Sequence, residues 1–415
     1  MKYTYKHTVY ACYAGFITQA IVNNLTPLLF VVFQEEFGLS YERLGRLVFL
    51  NFGVQIIADL IAVRYADKIG YRKLTVLAHI CCATGLICLG LLPKILPNSY
   101  MALSTAVIVY AIGGGLIEVL ISPIVEALPG DEKASAMSLL HSFYCWGQMA
   151  VVLISTLLLK ILGSQIWFIL PIMWSAIPIC NTYFFTKVPL VQLVKEEHNI
   201  KVKELFHSKF FRIALILMLC AGAAELTMSQ WASIFAQRGL KVDKVIGDLM
   251  GPCLFAVFMG IGRTIYGIMG ERLNIRKALT GSAILCVICY SITIFSRISV
   301  VSLLACASCG FAISLMWPGT FSLSSRRQPL GGTAMFGLLA VMGDVGGAVG
   351  PWMAGIVSEG VKTISKPMQL LFGPDVILEQ AGLKMGLLVA IIFPIIMIVG
   401  LSAIGKEKQG KEQSS

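Results

Sequence analysis

Val63-Arg64-Tyr65-Ala66-Asp67-Lys68-Ile69-Gly70-Tyr71-Arg72-Lys73 lies between two long apolar runs, and its reading decides the fold. A charged segment this short between such neighbours reads as a tight hairpin at a membrane surface, since about twenty apolar residues cross a bilayer. Near the same point of the second half the pattern returns as Gly267-Ile268-Met269-Gly270-Glu271-Arg272-Leu273-Asn274-Ile275-Arg276-Lys277. Aligned without a gap, Asp67 meets Glu271, Lys68 meets Arg272, and Arg72-Lys73 meets Arg276-Lys277. The recurrence marks an internal duplication. Duplicated halves in a polytopic membrane chain point to a transporter.

Composition agrees. The 415 residues are 57% hydrophobic and 13% charged, with a mean hydropathy of +0.80, whereas a soluble domain carries about 25% charged residues. The net charge of +11 is spread over many short loops rather than gathered on one face, which argues for membrane topology and against nucleic acid. The 12 Cys fall almost wholly within apolar runs, among them Cys81-Cys82, Cys286, Cys289, Cys306 and Cys309, and lack metal-ligand spacing with His. They read as small packing residues, so no metal, disulfide framework or cofactor is expected. The first apolar run is a full span with no small-residue cleavage site after it, so no signal peptide is expected.

Twelve spans are predicted, at 8–33, 44–66, 74–92, 101–128, 135–162, 166–185, 210–236, 246–269, 278–296, 299–324, 333–358 and 383–404. The expected fold is an all-α membrane protein of twelve transmembrane helices. Residues 1–185 form one six-helix bundle, 186–209 a cytoplasmic linker, 210–404 a pseudo-symmetric second bundle, and 405–415 a cytoplasmic tail. With both termini inside, the cytoplasmic loops hold about twice as many Lys and Arg as the opposite face, as the positive-inside rule requires.

Polar residues inside spans are costly and mark function. Span 1 carries Gln19, Asn23 and Asn24; Gln19 and Asn23 are four apart and share a helix face. Span 4 carries Gly113-Gly114-Gly115, Glu118, Ser122 and Pro123, and span 5 His141, Tyr144, Trp146 and Gln148. Span 7 contributes Glu225, Gln230 and Trp231, span 8 Arg263, span 10 Trp317-Pro318, and span 11 Asp344 within a row of Gly343, Gly346, Gly347 and Gly350. That row permits close helix contact. The repeat extends through these spans: Ala14-Gly15 is echoed by Ala221-Gly222, Gly115 and Pro123 by Gly310 and Pro318, and Ala136-Met137 by Ala334-Met335.

On these features the chain resembles the major facilitator superfamily, whose hairpin signature Asp67, Lys68, Gly70 and Arg72 fit, with Val63 and Tyr71 departing from it. Within that superfamily it is similar to the fucose–galactose–glucose proton symporters. The resembling pieces are Asn23-Asn24-Leu25, Gly114-Gly115-Leu116 with Glu118 and Pro123, His141, Phe143 and Gly147, Gly262-Arg263 with Gly267, and Trp317-Pro318 followed by Phe321-Ser322-Leu323. The resemblance implies a sugar site between the halves and a protonatable acid at Glu118. Those symporters carry a further acid in span 1, where this chain has Pro27 and no acid at all.

The expected activity is proton-driven uptake of a small polar solute, a sugar, by a monomer in the lipid of the cell membrane. Efflux of drugs or metabolites is the alternative, disfavoured because span 5 lacks the Gly-Pro ending common in exporters, and a transport-dead receptor is a remote third. A membrane enzyme would need paired acids, a metal cluster or a nucleophile constellation facing water, and the sequence offers none. Gln19, Asn23, Asn24, His141, Tyr144, Gln148, Glu225, Gln230, Trp231 and Trp317 are the candidate solute contacts. Glu118 is the coupling acid, with Glu225 its rival. Asp59, Asp67, Lys68, Gly70, Arg72, Arg263, Glu271, Arg272, Arg276 and Asp344 are assigned to gating or structure. The hairpin charges are expected to latch the halves on the cytoplasmic side.

Overall fold

The computed structural model describes residues 3–129, 133–191, 202–269, 273–328, 331–361, 371–373 and 376–404. Eleven of its helices are long and apolar enough to cross a membrane, and a bent pair supplies a twelfth. Span 1 is that pair, Tyr5–Leu28 and Phe30–Phe37, bent by 45°. Spans 2 to 6 are Tyr41–Ala62, Tyr71–Ile95, Ser99–Glu126, Leu139–Leu162 and Ile169–Lys187. Spans 7 to 12 are Lys209–Gly239, Lys244–Met269, Ile275–Phe295, Ser299–Arg327, Met335–Gly360 and Leu378–Ala403. Strands are absent among the described residues. The described residues are helical, with twelve spans, counting the bent pair as one, in two six-helix bundles.

Local chemistry sets the helix starts. The side chains of Ser40, Asn98, Ser208 and Asn274 each accept a hydrogen bond from the backbone N–H three residues on, at 3.1 to 3.3 Å. They thereby satisfy a donor that the first helical turn leaves open. In the hairpin, one residue both ends the helix of span 2 and precedes span 3. That residue is Gly70, at φ 96°, a conformation an L side chain rarely adopts.

The duplication is visible in hydrogen bonds. Arg72 donates to the carbonyls of Phe185 and Val188 at the end of span 6, at 2.7 and 2.8 Å. Its counterpart Arg276 donates to the carbonyls of Leu401 and Ser402 at the end of span 12, at 2.9 and 3.3 Å. Both arginines therefore tie a helix C-terminus within their own half. A cation is favoured there because the last carbonyls lack intrahelical donors. The side chain of Asp67, and Glu271, Arg272, residues 192–201 of the linker and the tail at 405–415, lie outside the described residues. Lys68 is exposed.

Glycines set how close the helices come. A Cβ on Gly222 would lie 2.0 Å from the Gly343 carbonyl oxygen, and one on Gly346 2.0 Å from that of Leu219. The glycine row of span 11 thus lies backbone to backbone against span 7. Spans 2 and 4 meet in the same way, since a Cβ on Gly115 would lie 2.6 Å from the Gln55 carbonyl oxygen and 2.7 Å from Asp59 Oδ1.

Among the described residues, contacts between the halves gather on the face opposite the Gly70 hairpin. There Arg238 pairs with Glu35 at 2.7 Å, Tyr41 donates its hydroxyl to Glu379 at 2.9 Å and its N–H to Glu359 at 3.0 Å, and Trp352 donates to Glu42 at 3.4 Å. Lys244 reaches the Leu28 carbonyl at 3.3 Å. The halves are closed together on this face.

Candidate functional site

Below that closed face the sequence places a row of amides. Asn51, Gln55 and Asp59 stand four apart on span 2, so they share one helix face, opposite Gln19 and Asn23 of span 1. The Asn23 side-chain oxygen accepts from Asn51 Nδ2 and from Gln55 Nε2, both at 2.9 Å. Gln19 Nε2 donates to Gln55 Oε1 at 2.9 Å and to Glu118 Oε2 at 3.2 Å. A continuous chain of side-chain hydrogen bonds thus runs from Asn51 to Glu118. Hydrogen bonding offsets the cost of burying amides, although Gln19 Oε1 and Asn51 Oδ1 have no hydrogen-bond partner among the described residues.

The second half reaches the row through Gln230, whose Nε2 donates to the Asn23 backbone carbonyl at 3.1 Å. That carbonyl stands four residues before Pro27, which has no N–H to give it. Pro27 also lies at the bend of span 1. Asn24 donates to the Ala20 carbonyl at 2.9 Å and to the Tyr144 hydroxyl at 3.4 Å.

Glu118 is half-buried, and its neighbours besides Gln19 are acids. Carboxyl oxygens of Asp59, Glu118 and Asp344 lie within 4.8 Å of one another. Asp59, assigned from the sequence to gating or structure, faces two acids, and among the described residues no Lys or Arg is ion-paired with it. Arg263, its counterpart in the repeat, instead reaches Glu225 within its own half, at 3.4 Å. Glu225 therefore has a compensating cation, and among the described residues Glu118 has none of that kind.

The remaining candidates divide by exposure. His141 is open to the space between the helices and meets the edge of Phe16 at 5.2 Å, while Gln148 is buried. Trp231 is buried between Phe30 and Tyr41, with its indole N–H donated to the Pro351 carbonyl at 3.0 Å. It packs the closed face and presents no ring to a solute. Trp317 is half-buried and lies against Gly343, where an added Cβ would meet its ring at 2.2 Å.

Three side chains of these buried polar networks are not among the candidates read from the sequence. Asn51 and Gln55 carry the same four-residue spacing as Gln19 and Asn23, and that signal would have found them. Asp248 sits at the start of span 8, fully buried. It accepts from Thr156 of span 5 at 2.9 Å and Ser233 of span 7 at 2.5 Å, and pairs with Lys244 at 3.0 Å. The four-residue step from Lys244 to Asp248 is legible in the sequence, but no spacing links that pair to Thr156 and Ser233.

The comparisons with known proteins agree with this geometry. Residues 11–351 match the family described as Major Facilitator Superfamily, and the chain belongs to that family. It is an integral membrane transporter. No curated protein matches it in sequence. Among solved structures it is similar to the Escherichia coli fucose:proton symporter FucP, at 16% identity over 96% of this chain and 98% of that one, with a TM-score of 0.64. A bacterial homolog of the human lysosomal transporter Spinster gives 13% identity, 96% of each chain and a TM-score of 0.76. The xylose transporter XylE of E. coli gives 11%, 98% of each chain and 0.75. At these identities the likeness is one of fold.

Proposed function

We propose that the protein takes up a small polar solute, a sugar, by proton symport, with Glu118 exchanging the proton. The observation that carries this reading is the hydrogen-bonded row from Asn51 to Glu118, which joins an acid with no basic partner among the described residues to the polar wall between the halves. Sugar hydroxyls both donate and accept, so they can replace amide–amide bonds one for one at little net cost. A solute bound there would alter the Gln19–Glu118 contact directly, which links solute occupancy to the proton. FucP and XylE, a fucose:proton symporter and a xylose transporter, share the fold and support the sugar class. Glu225 is the weaker coupling candidate because Arg263 already offsets its charge.

The test is a side-by-side reconstitution of Glu118→Gln and Glu225→Gln with a panel of labelled sugars. Glu118→Gln imitates the protonated acid, so counterflow should survive within about threefold, while accumulation driven by a pH gradient disappears. Accumulation that persists in Glu118→Gln and is lost in Glu225→Gln would move the coupling site to Glu225.

A further inference from the structure

We propose that the cleft between spans 8, 9 and 10 holds one acyl chain of an anionic phospholipid, with the headgroup at Lys277 on the hairpin face of the second half. The cleft encloses about 270 Å³, and its walls include Gly262 and Ile265 of span 8, Gly281 and Leu285 of span 9, and Phe311 and Leu315 of span 10. Two tight seams on span 10 create it. On one side a Cβ on Gly262 would lie 2.1 Å from Ser314 Oγ. On the other, Ser282 donates its hydroxyl to the Ala312 carbonyl. Spans 8 and 9 thus each grip span 10, and the space between them stays open. A Cβ on Gly281 would meet nothing within 4 Å.

The chemistry of the wall selects an apolar occupant. Besides Ser282, its hydroxyls are engaged within the protein: Tyr266 donates to Ser322 at 2.6 Å, and Ser314 to the Phe311 carbonyl at 2.7 Å. Ile261, Ile265 and Ile268 are exposed and share one face of span 8, so the cleft opens on the lipid side of the bundle.

Depth and charge specify the lipid. Leu285, the deepest wall residue of span 9, stands ten residues past the helix start at Ile275, about 15 Å along the axis. That is half of a hydrocarbon core about 30 Å thick. The cleft therefore runs the depth of one leaflet, with its mouth at Leu273 in the hairpin. At that mouth Lys277 is exposed in the first turn of span 9, a turn without an acid. Arg326 and Arg327 end span 10 at the same membrane face. The N–H groups of a helix start and nearby cations both favour an anion. A lipid held here differs from the lipid around every other span because the groove recognises its chain and its headgroup together.

The full-length protein in phosphatidylcholine vesicles provides the test. Traces of phosphatidylglycerol carrying a photoreactive diazirine midway along one acyl chain are compared with phosphatidylcholine carrying the same chain, and labelled peptides are located by mass spectrometry. The phosphatidylglycerol probe should label the peptides lining the cleft about fivefold more, the preference one Lys confers near an anionic headgroup. Peptides bearing the exposed Ile179 of span 6 should show no preference. Gly281→Phe, which fills the cleft, should remove cleft labelling by both probes, whereas Lys277→Gln should remove only the headgroup preference. Should Gly281→Phe not fold, unlabelled phosphatidylglycerol should still displace the probe saturably from the wild-type cleft. The proposal is overturned if the two probes label the cleft equally, or if the preference is as strong at Ile179. Full labelling of folded Gly281→Phe, a preference that survives Lys277→Gln, or the absence of saturable displacement would overturn it too. No solute is present, so the result is independent of the sugar–proton reading.

Discussion

At Asp248 one carboxylate holds three donors from different places in the chain: Thr156, Ser233 and Lys244. Asp248→Ala would leave two hydroxyls and an ammonium without their acceptor, and breaking a buried ion pair costs about 3–5 kcal/mol. The variant should therefore unfold at a clearly lower temperature in detergent, with Asp248→Asn between it and the wild type. A wild-type midpoint for Asp248→Ala would remove the anchoring role. The same scale shows what sequence reading can reach. Gln19, Asn23 and Glu118 stood out as polar groups in apolar runs. Asn51 and Gln55 carried the same signal, but each lies in a run whose bulk is apolar, and only their contacts with Asn23 reveal the shared purpose. Trp231 could not be placed by sequence, because a stacking ring and a packing ring have the same chemistry until exposure is known.

Helices and hairpins were the most legible part of the molecule. A glycine between charged residues and two apolar runs implies a turn needing positive φ, and Gly70 supplies it at 96°. The role of the hairpin bases was less legible, since helix ends in another part of the bundle receive them. Arg72 and Arg276 each clamp the last carbonyls of their own half. Arg72→Ala and Arg276→Ala should each destabilise by about 1–2 kcal/mol, the range for a partly buried cation at a helix C-terminus. Being in separate bundles, the two losses should add in the double variant to within about 0.5 kcal/mol. Thermal or denaturant unfolding of the four proteins checks this; strong non-additivity would mean that the hairpins act across the halves after all.

Over the whole molecule, the closed face is held by polar contacts at its rim, and these set the balance between alternate arrangements of the bundles. Glu379 accepts from Tyr41 at 2.9 Å and pairs with Lys241 at 3.7 Å. Partly exposed pairs contribute about 0–1 kcal/mol, so Glu379→Ala should shift the closed-to-open ratio by up to about fivefold, a change that double electron–electron resonance between labels on the two bundles can read. An unchanged distance distribution would assign closure to the apolar seam alone. Deeper in the seam, the Asn23 carbonyl borrows its donor from Gln230 because Pro27 has none to give. When the bundles part there, that oxygen is stranded in a dry crevice, at a cost of about 1–3 kcal/mol, unless a water molecule has already entered. Wetting must therefore lead and separation follow along this seam: a crevice that drains quickly stays shut.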